Sequence, residues 1–196
     1  MRGDDRAAQP LPEIEGKIVF VGPPGSGKTE LLRAIHARLD PATRGALLTP
    51  SEDDGSTVFF DLTTLDLGTV GGRPLRVQLL TAPGEPERSL LRRTVLRGAD
   101  AVVFVADSDP GRMEANRGTL DALEDDLAAF GREGRPAPLL VLLYNKRDLP
   151  RAVSREELDR RLNPRDRPAF EASATRGEGL IEPLAAAAER LVRAPA

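Results

Sequence analysis

The chain has 196 residues, enough for one domain with its own core. Its 28 basic and 31 acidic residues leave a net charge of −3 with both signs interspersed, which argues against a general electrostatic grip on nucleic acid. Cysteine is absent and His36 is the sole histidine, so a disulfide scaffold, a thiolate metal centre, a cysteine nucleophile and a multi-histidine metal site are excluded.

Residues 1–12 are charged, proline-containing and aperiodic, which predicts a disordered tail ahead of one domain over 13–196. Residues 17–21 (KIVFV) predict a short strand that ends at Gly22. After a glycine-rich turn, Leu32, Ile35 and Leu39 take helical spacing, and Pro41 stops that helix. Residues 58–67 and 75–80 are strand-like and flank Gly71-Gly72, the pattern of a β-hairpin. Residues 101–106 (AVVFVA) and 139–144 (LLVLLY) are apolar on both faces, as central parallel strands are. Between them Leu120, Leu123, Leu127 and Phe130 form one face of a long helix, while Ser154 and Glu157 make a capping box for the next. Residues 170–174 predict a last strand, and Leu180, Leu184, Ala188 and Leu191 predict the inner face of a closing helix. This alternation is that of an α/β fold with a mostly parallel sheet, whose ligands sit at the carboxyl ends of the strands. The longest apolar run, residues 137–144, is too short to span a bilayer, and neither end carries a lipidation motif. A cytoplasmic protein without a direct membrane anchor is expected.

Two motifs fall at strand ends. Gly22-Pro-Pro-Gly25-Ser26-Gly27-Lys28-Thr29 matches G-x-x-x-x-G-K-[ST] between a strand and a helix. Such a loop turns backbone N–H groups toward a phosphate, and the following helix adds its positive end. Pro23 and Pro24 carry no N–H, so the donors run from Gly25 to Thr29 and onto Glu30. Lys28 is suited to the β- and γ-phosphates and the Thr29 hydroxyl to Mg²⁺. Asn145-Lys146-Arg147-Asp148 follows the strand 139–144. A carboxylate at Asp148 can accept from guanine N1–H and the 2-amino group, donors that adenine lacks, so an adenine would leave it unpaired. The Lys146 stem can cover the base plane while Asn145 braces neighbouring loops. The Glu171-Ala-Ser173-Ala174 segment would bring backbone amides near guanine O6.

The order of these motifs resembles the Ras-like small GTPases, and more closely the bacterial MglA family of polarity and gliding-motility GTPases. Thr57-Val-Phe-Phe-Asp61, Thr81-Ala-Pro-Gly84, Arg112-Met-Glu-Ala-Asn116 and residues 145–150 (NKRDLP) carry the closer likeness. The resemblance implies a mostly parallel six-stranded sheet with one antiparallel hairpin strand and helices on both faces. It also implies a GTP/GDP switch with Mg²⁺ whose GTP form binds effector proteins. Its usual partner is a roadblock-fold homodimer that activates hydrolysis, and the chain alone is expected to be a monomer. On this resemblance Thr57 reaches Mg²⁺ and the γ-phosphate, and the Gly84 amide contacts the γ-phosphate.

Three departures follow from the same comparison. Most Ras-like proteins carry Asp where Thr81 stands, and a neutral residue holds the Mg²⁺ shell less strongly. The switch II Gln that orients the attacking water is Glu85, and the arginine that precedes the switch I Thr in the MglA family is Ser56. Arg88, Arg92 and Arg93 follow switch II, where a solvated helix face is expected of them. Slow or atypical hydrolysis is therefore the expectation. A non-hydrolysing GTP-binding scaffold, regulated by exchange or partner binding, is the alternative. A P-loop kinase or ATPase would need an acceptor site or an adenine-selective pocket, against which Asp148 argues.

Overall fold

The computed structural model describes residues 12–49, 60–132 and 137–193. Thr57 and Ser56, with the start of the strand expected at residue 58, lie outside the described residues. Six strands form one sheet: β1 (Ile14–Val21), β2 (Leu62–Val70), β3 (Arg73–Thr81), β4 (Ala101–Asp107), β5 (Leu139–Asn145) and β6 (Ala169–Glu171), in the order β2-β3-β1-β4-β5-β6. Only the β2–β3 pairing is antiparallel. Every residue of β4 is buried, as its two-faced apolar run requires. Among the described residues no helix is long and apolar enough to cross a membrane.

Alternate residues of the strands feed two cores. Ile18, Phe20, Val103 and Leu143 pack under α1 (Lys28–Arg38) and α5 (Glu182–Arg193), while Val19, Val21, Phe104 and Leu142 pack under α2 (Ser89–Leu96), α3 (Met113–Arg132) and α4 (Arg155–Leu162). Helices on both faces are thus observed, and β1 lies at the switch point, with β3 on one side and β4 on the other. Half of the expected capping box forms: Glu157 donates its backbone N–H to Ser154 Oγ at 3.2 Å, while its carboxylate turns to Arg160 and Arg161. The tyrosine at the end of the apolar run, Tyr144, is fully buried and donates its hydroxyl to Asp159 at 2.7 Å.

Four expectations are corrected. β1 is longer than residues 17–21, because Ile14 to Lys17 pair in register with Leu75 to Gln78. The last strand stops at Glu171, since Ser173 pairs instead with Glu178 in a local turn. In α5 the core position is Ala187, fully buried, and not Ala188. Arg92 is not on a solvated face: it is 3% exposed and its Nε donates to Asp126 Oδ2 at 2.8 Å, joining α2 to α3. Arg92→Ala leaves Asp126 nine-tenths buried with only Arg93 nearby, at 3.7 Å. The expected loss is about 3 kcal/mol of unfolding free energy, read as a lowered urea midpoint with an unchanged slope.

Candidate functional site

The carboxyl ends of β1, β3, β4 and β5 converge on the glycine-rich loop. Gly27 takes φ 91°, in the left-handed region, and a Cβ there would meet Asn145 Nδ2 at 2.6 Å. Only glycine lets the loop end in this conformation and lets α1 begin at Lys28 with its first-turn N–H groups unpaired by the helix. Gly25 is exposed and Ser26 is buried, with its Oγ lacking a hydrogen-bond partner. Lys28 donates Nζ to the carbonyls of Gly22 at 2.8 Å and Pro23 at 3.1 Å. Burial lowers its pKa to about 8, against the opposing pull of the Glu85 and Asp61 carboxylates. Glu30 points to solvent, where it pairs with Arg33 at 2.8 Å.

Asn145 is the brace that its position predicted. Its Nδ2 donates to Ser26 O at 2.8 Å, and its Oδ1 accepts from Ala174 N–H at 3.1 Å. One side chain therefore ties the glycine-rich loop to the segment after β6. The Ala174 amide, expected to face a base, is engaged by Asn145. Asp148 accepts from Ser173 Oγ at 2.6 Å, and that hydrogen bond holds its carboxyl below the usual value. Lys146 adopts φ 65°, unusual for a residue with a side chain, and its Nζ reaches Asp107 Oδ2 at 2.7 Å.

Asp107 escaped the sequence reading. Asn116 fixes its backbone, accepting from Asp107 N–H at 2.9 Å and donating to Asp107 O at 2.8 Å. Arg112 lies 3.7 Å from its carboxylate and donates Nη2 to Pro24 O, so α3 and its preceding turn hold the glycine-rich loop from the other side. Arg112 and Asn116 stand in a motif quoted above, and that motif was the available signal.

On the far side of Lys28 opens a cavity of about 360 Å³ lined by Lys28, Thr29, Asp61, Thr81, Glu85 and Arg88 among others. Asp61, just before β2, is also a residue that sequence reasoning left without a role. It is 3% exposed, and its Oδ2 accepts from Thr29 Oγ1 at 2.7 Å and Thr81 Oγ1 at 2.9 Å. Its Oδ1 is buried with no hydrogen-bond partner. A buried carboxylate oxygen left open beside a threonine hydroxyl is the partial oxygen set that suits Mg²⁺, which completes its shell with phosphate oxygens and water. Thr81 thus sits beside a carboxylate although it does not supply one. Gly84 closes the same region: it is buried, and a Cβ on it would overlap the Gly22 carbonyl oxygen.

A family model for the ADP-ribosylation factor family matches residues 7–191. The chain belongs to that family of small GTPases. Among curated relatives it is 42% identical over 177 residues to the mutual gliding-motility protein MglA of Myxococcus xanthus strain DK1622, covering 90% of this chain and 90% of that protein. The family's members are guanine-nucleotide-binding switches, and the chain's fold and motif order are those of an MglA-like small GTPase.

Proposed function

We propose that the protein is a cytoplasmic, MglA-like switch that binds GTP and GDP with Mg²⁺, hydrolyses GTP slowly, and engages effector proteins in its GTP form. The observation that carries this reading is the bridge made by Asn145 between the glycine-rich loop and Ala174, beside the Asp148–Ser173 pair. It ties the glycine-rich loop to the segment beside Asp148, so a phosphate cradle and a base-accepting carboxylate would share one frame.

On this reading Gly22, Gly25, Ser26, Gly27 and Glu30 contribute backbone to the phosphate cradle, and Lys28 contributes charge. Thr29, Asp61 and, from outside the described residues, Thr57 would hold Mg²⁺, which supplies charge neutralisation on the phosphates. Gly84 offers its N–H to the γ-phosphate. Asp148 accepts from guanine, Lys146 covers the base while anchored on Asp107, and Ser173 and Ala174 border the base. Glu85 faces Lys28 and is an acceptor for the attacking water, though its negative charge opposes the γ-phosphate. The relative's name supports a place in gliding motility; a role in polarity and a roadblock-fold homodimer as regulatory partner of a monomeric chain are what the family resemblance adds to the proposal.

Lys28 makes nucleotide binding proton-linked. Below about pH 8 the lysine is charged in both free and bound protein, so it adds no pH dependence. Above that value the free lysine loses its proton, and bound phosphates restore it. GTP affinity should then fall by about tenfold per pH unit. The nucleotide-free fold should move the other way. From about pH 8 toward the ordinary lysine value of 10.5 the unfolded chain holds the extra proton, so stability rises with pH. Titration calorimetry and urea unfolding across this window check both signs.

Single-turnover decay of preloaded GTP tests the enzymatic part. Rates of order 10⁻⁴ s⁻¹ are those of a small GTPase lacking an arginine at the γ-phosphate, and about 10⁻² s⁻¹ those with one in cis. Decay within minutes to hours supports the switch. Tightly held GTP that never decays instead supports the non-hydrolysing scaffold, which the carboxylate at Glu85 favours.

A further inference from the structure

We propose that Arg88 supplies the positive charge at the γ-phosphate during hydrolysis, delivered by the turn after Gly84 and not by the segment before Thr57. This rests on the GTPase reading above. Arg88 is exposed and lines the cavity shared by Lys28, Thr29, Asp61 and Glu85. It ends the 3₁₀ turn Pro86–Arg88, with its N–H donated to Glu85 O at 3.1 Å. Glu85 stands just before the turn with extended backbone, and its side chain and that of Arg88 both line the cavity.

The neighbouring arginines are committed elsewhere. Arg92 and Arg93 both turn to Asp126, at 2.8 and 3.7 Å. Arg112 is held by Pro24 O and Asp107, and does not line the cavity. Arg88 alone of these has no carboxylate within ion-pair distance among the described residues.

Charge balance in the cavity gives Arg88 its task. Two carboxylates, Asp61 and Glu85, already face Lys28 there. Lys28 and an Mg²⁺ at Asp61 would offset the phosphates, and the Glu85 carboxylate then adds an anion beside the γ-phosphate that a further cation in the same cavity would offset. In the reaction the water oxygen bonds to the γ-phosphorus, and the bond to the β–γ bridging oxygen breaks. Its electron pair stays on GDP, and a water proton passes to the released phosphate. Charge spreads over the equatorial oxygens in the transition state, and a guanidinium fork matches that geometry better than an ammonium. Glu85 and Arg88 then act as a pair: the carboxylate accepts from the water and the guanidinium offsets both anions.

The test compares Arg88→Ala, Arg88→Lys and, as a control on the helix that follows, Arg93→Ala. Three quantities are measured: GDP affinity, GTP affinity and single-turnover hydrolysis. Arg88→Ala should keep wild-type GDP affinity, lose about tenfold in GTP affinity, and slow hydrolysis about 20-fold. Arg88→Lys should recover GTP affinity but less of the rate, and Arg93→Ala should match wild type. Arg88→Ala at wild-type values throughout overturns the proposal. So does an equal loss of GDP and GTP affinity, which marks a structural role, or a wild-type protein that binds GTP and never hydrolyses it. A wild-type protein that binds neither nucleotide overturns the GTPase reading itself.

Discussion

Asp61→Asn is expected to remove most of the Mg²⁺-dependent part of GTP affinity while leaving affinity measured in excess chelator unchanged. The carboxylate accepts from Thr29 and Thr81 through one oxygen and holds the other buried and unpartnered. An amide can replace the accepting oxygen but turns two N–H donors toward the open position, where a cation would stand. The loss should be about 10- to 100-fold, the range found when a group that positions or completes a metal shell is removed. The fold should survive, because the hydroxyl of Thr81 and the backbone pairing of Thr81 N–H to Asp61 O at 3.0 Å remain. Nucleotide exchange followed with and without Mg²⁺ reads this directly. Equal Mg²⁺ dependence in wild type and variant would mean that Asp61 only ties β2 to β3.

The second large effect concerns the base. In Asp148→Asn the acceptor pair becomes one acceptor and one donor. Guanine then loses the partner of its 2-amino group, whereas xanthine, with a carbonyl at that carbon, gains one. GTP affinity should drop by about 10²- to 10³-fold, the value of one hydrogen bond to a charged group lost and a second made neutral. XTP should bind the variant better than GTP does. Ser173 can still donate to the amide oxygen, so its 2.6 Å contact gives no reason for the loop to collapse. A variant that loses GTP and gains nothing with XTP would place Asp148 in loop structure and not at the base.

The strand–helix order and both nucleotide motifs were legible because they are local. A run such as residues 101–106 declares a buried strand whatever lies around it, and glycines at fixed spacing declare the loop after β1. What stayed hidden depends on long-range register. Asp61 was in view, but its partner was not. Counting outward from the Gly71-Gly72 turn, Val70 pairs with Arg73 and Thr69 with Pro74, a register that would set Asp61 opposite Ala82. A bulge between Asp66 and Thr69 shifts the pairing by one residue, so Leu62 meets Leu80 and Asp61 meets Thr81. Without that shift Asp61 would not meet the Thr81 hydroxyl it now shares with Thr29.

The burial of Arg92 also depends on a distant partner. Polar residues on a short helix are assigned to solvent by pattern, yet Asp126 waits 34 positions away on α3. In α5, helical spacing from Leu180 points to Ala188, but Leu180 is buried before the helix begins at Glu182, and within the helix Ala187 is the buried position. The Asp107 hub needed α3 and β5 to be placed against β4 before Asn116, Lys146 and Arg112 could be seen around it.

The roles proposed for Lys28, Asp61, Arg88 and Asp148 all require that this frame hold a guanine nucleotide. Competition for labelled GDP on the full-length wild-type protein with Mg²⁺ tests it most directly. Unlabelled GDP and GTP should displace the label at stoichiometric levels, and ATP should not displace it even at a thousandfold excess, which is about 4 kcal/mol of discrimination. Displacement by ATP at levels comparable to GTP would contradict the role given to Asp148 and return the loop after β1 to the wider class of phosphate-binding sites.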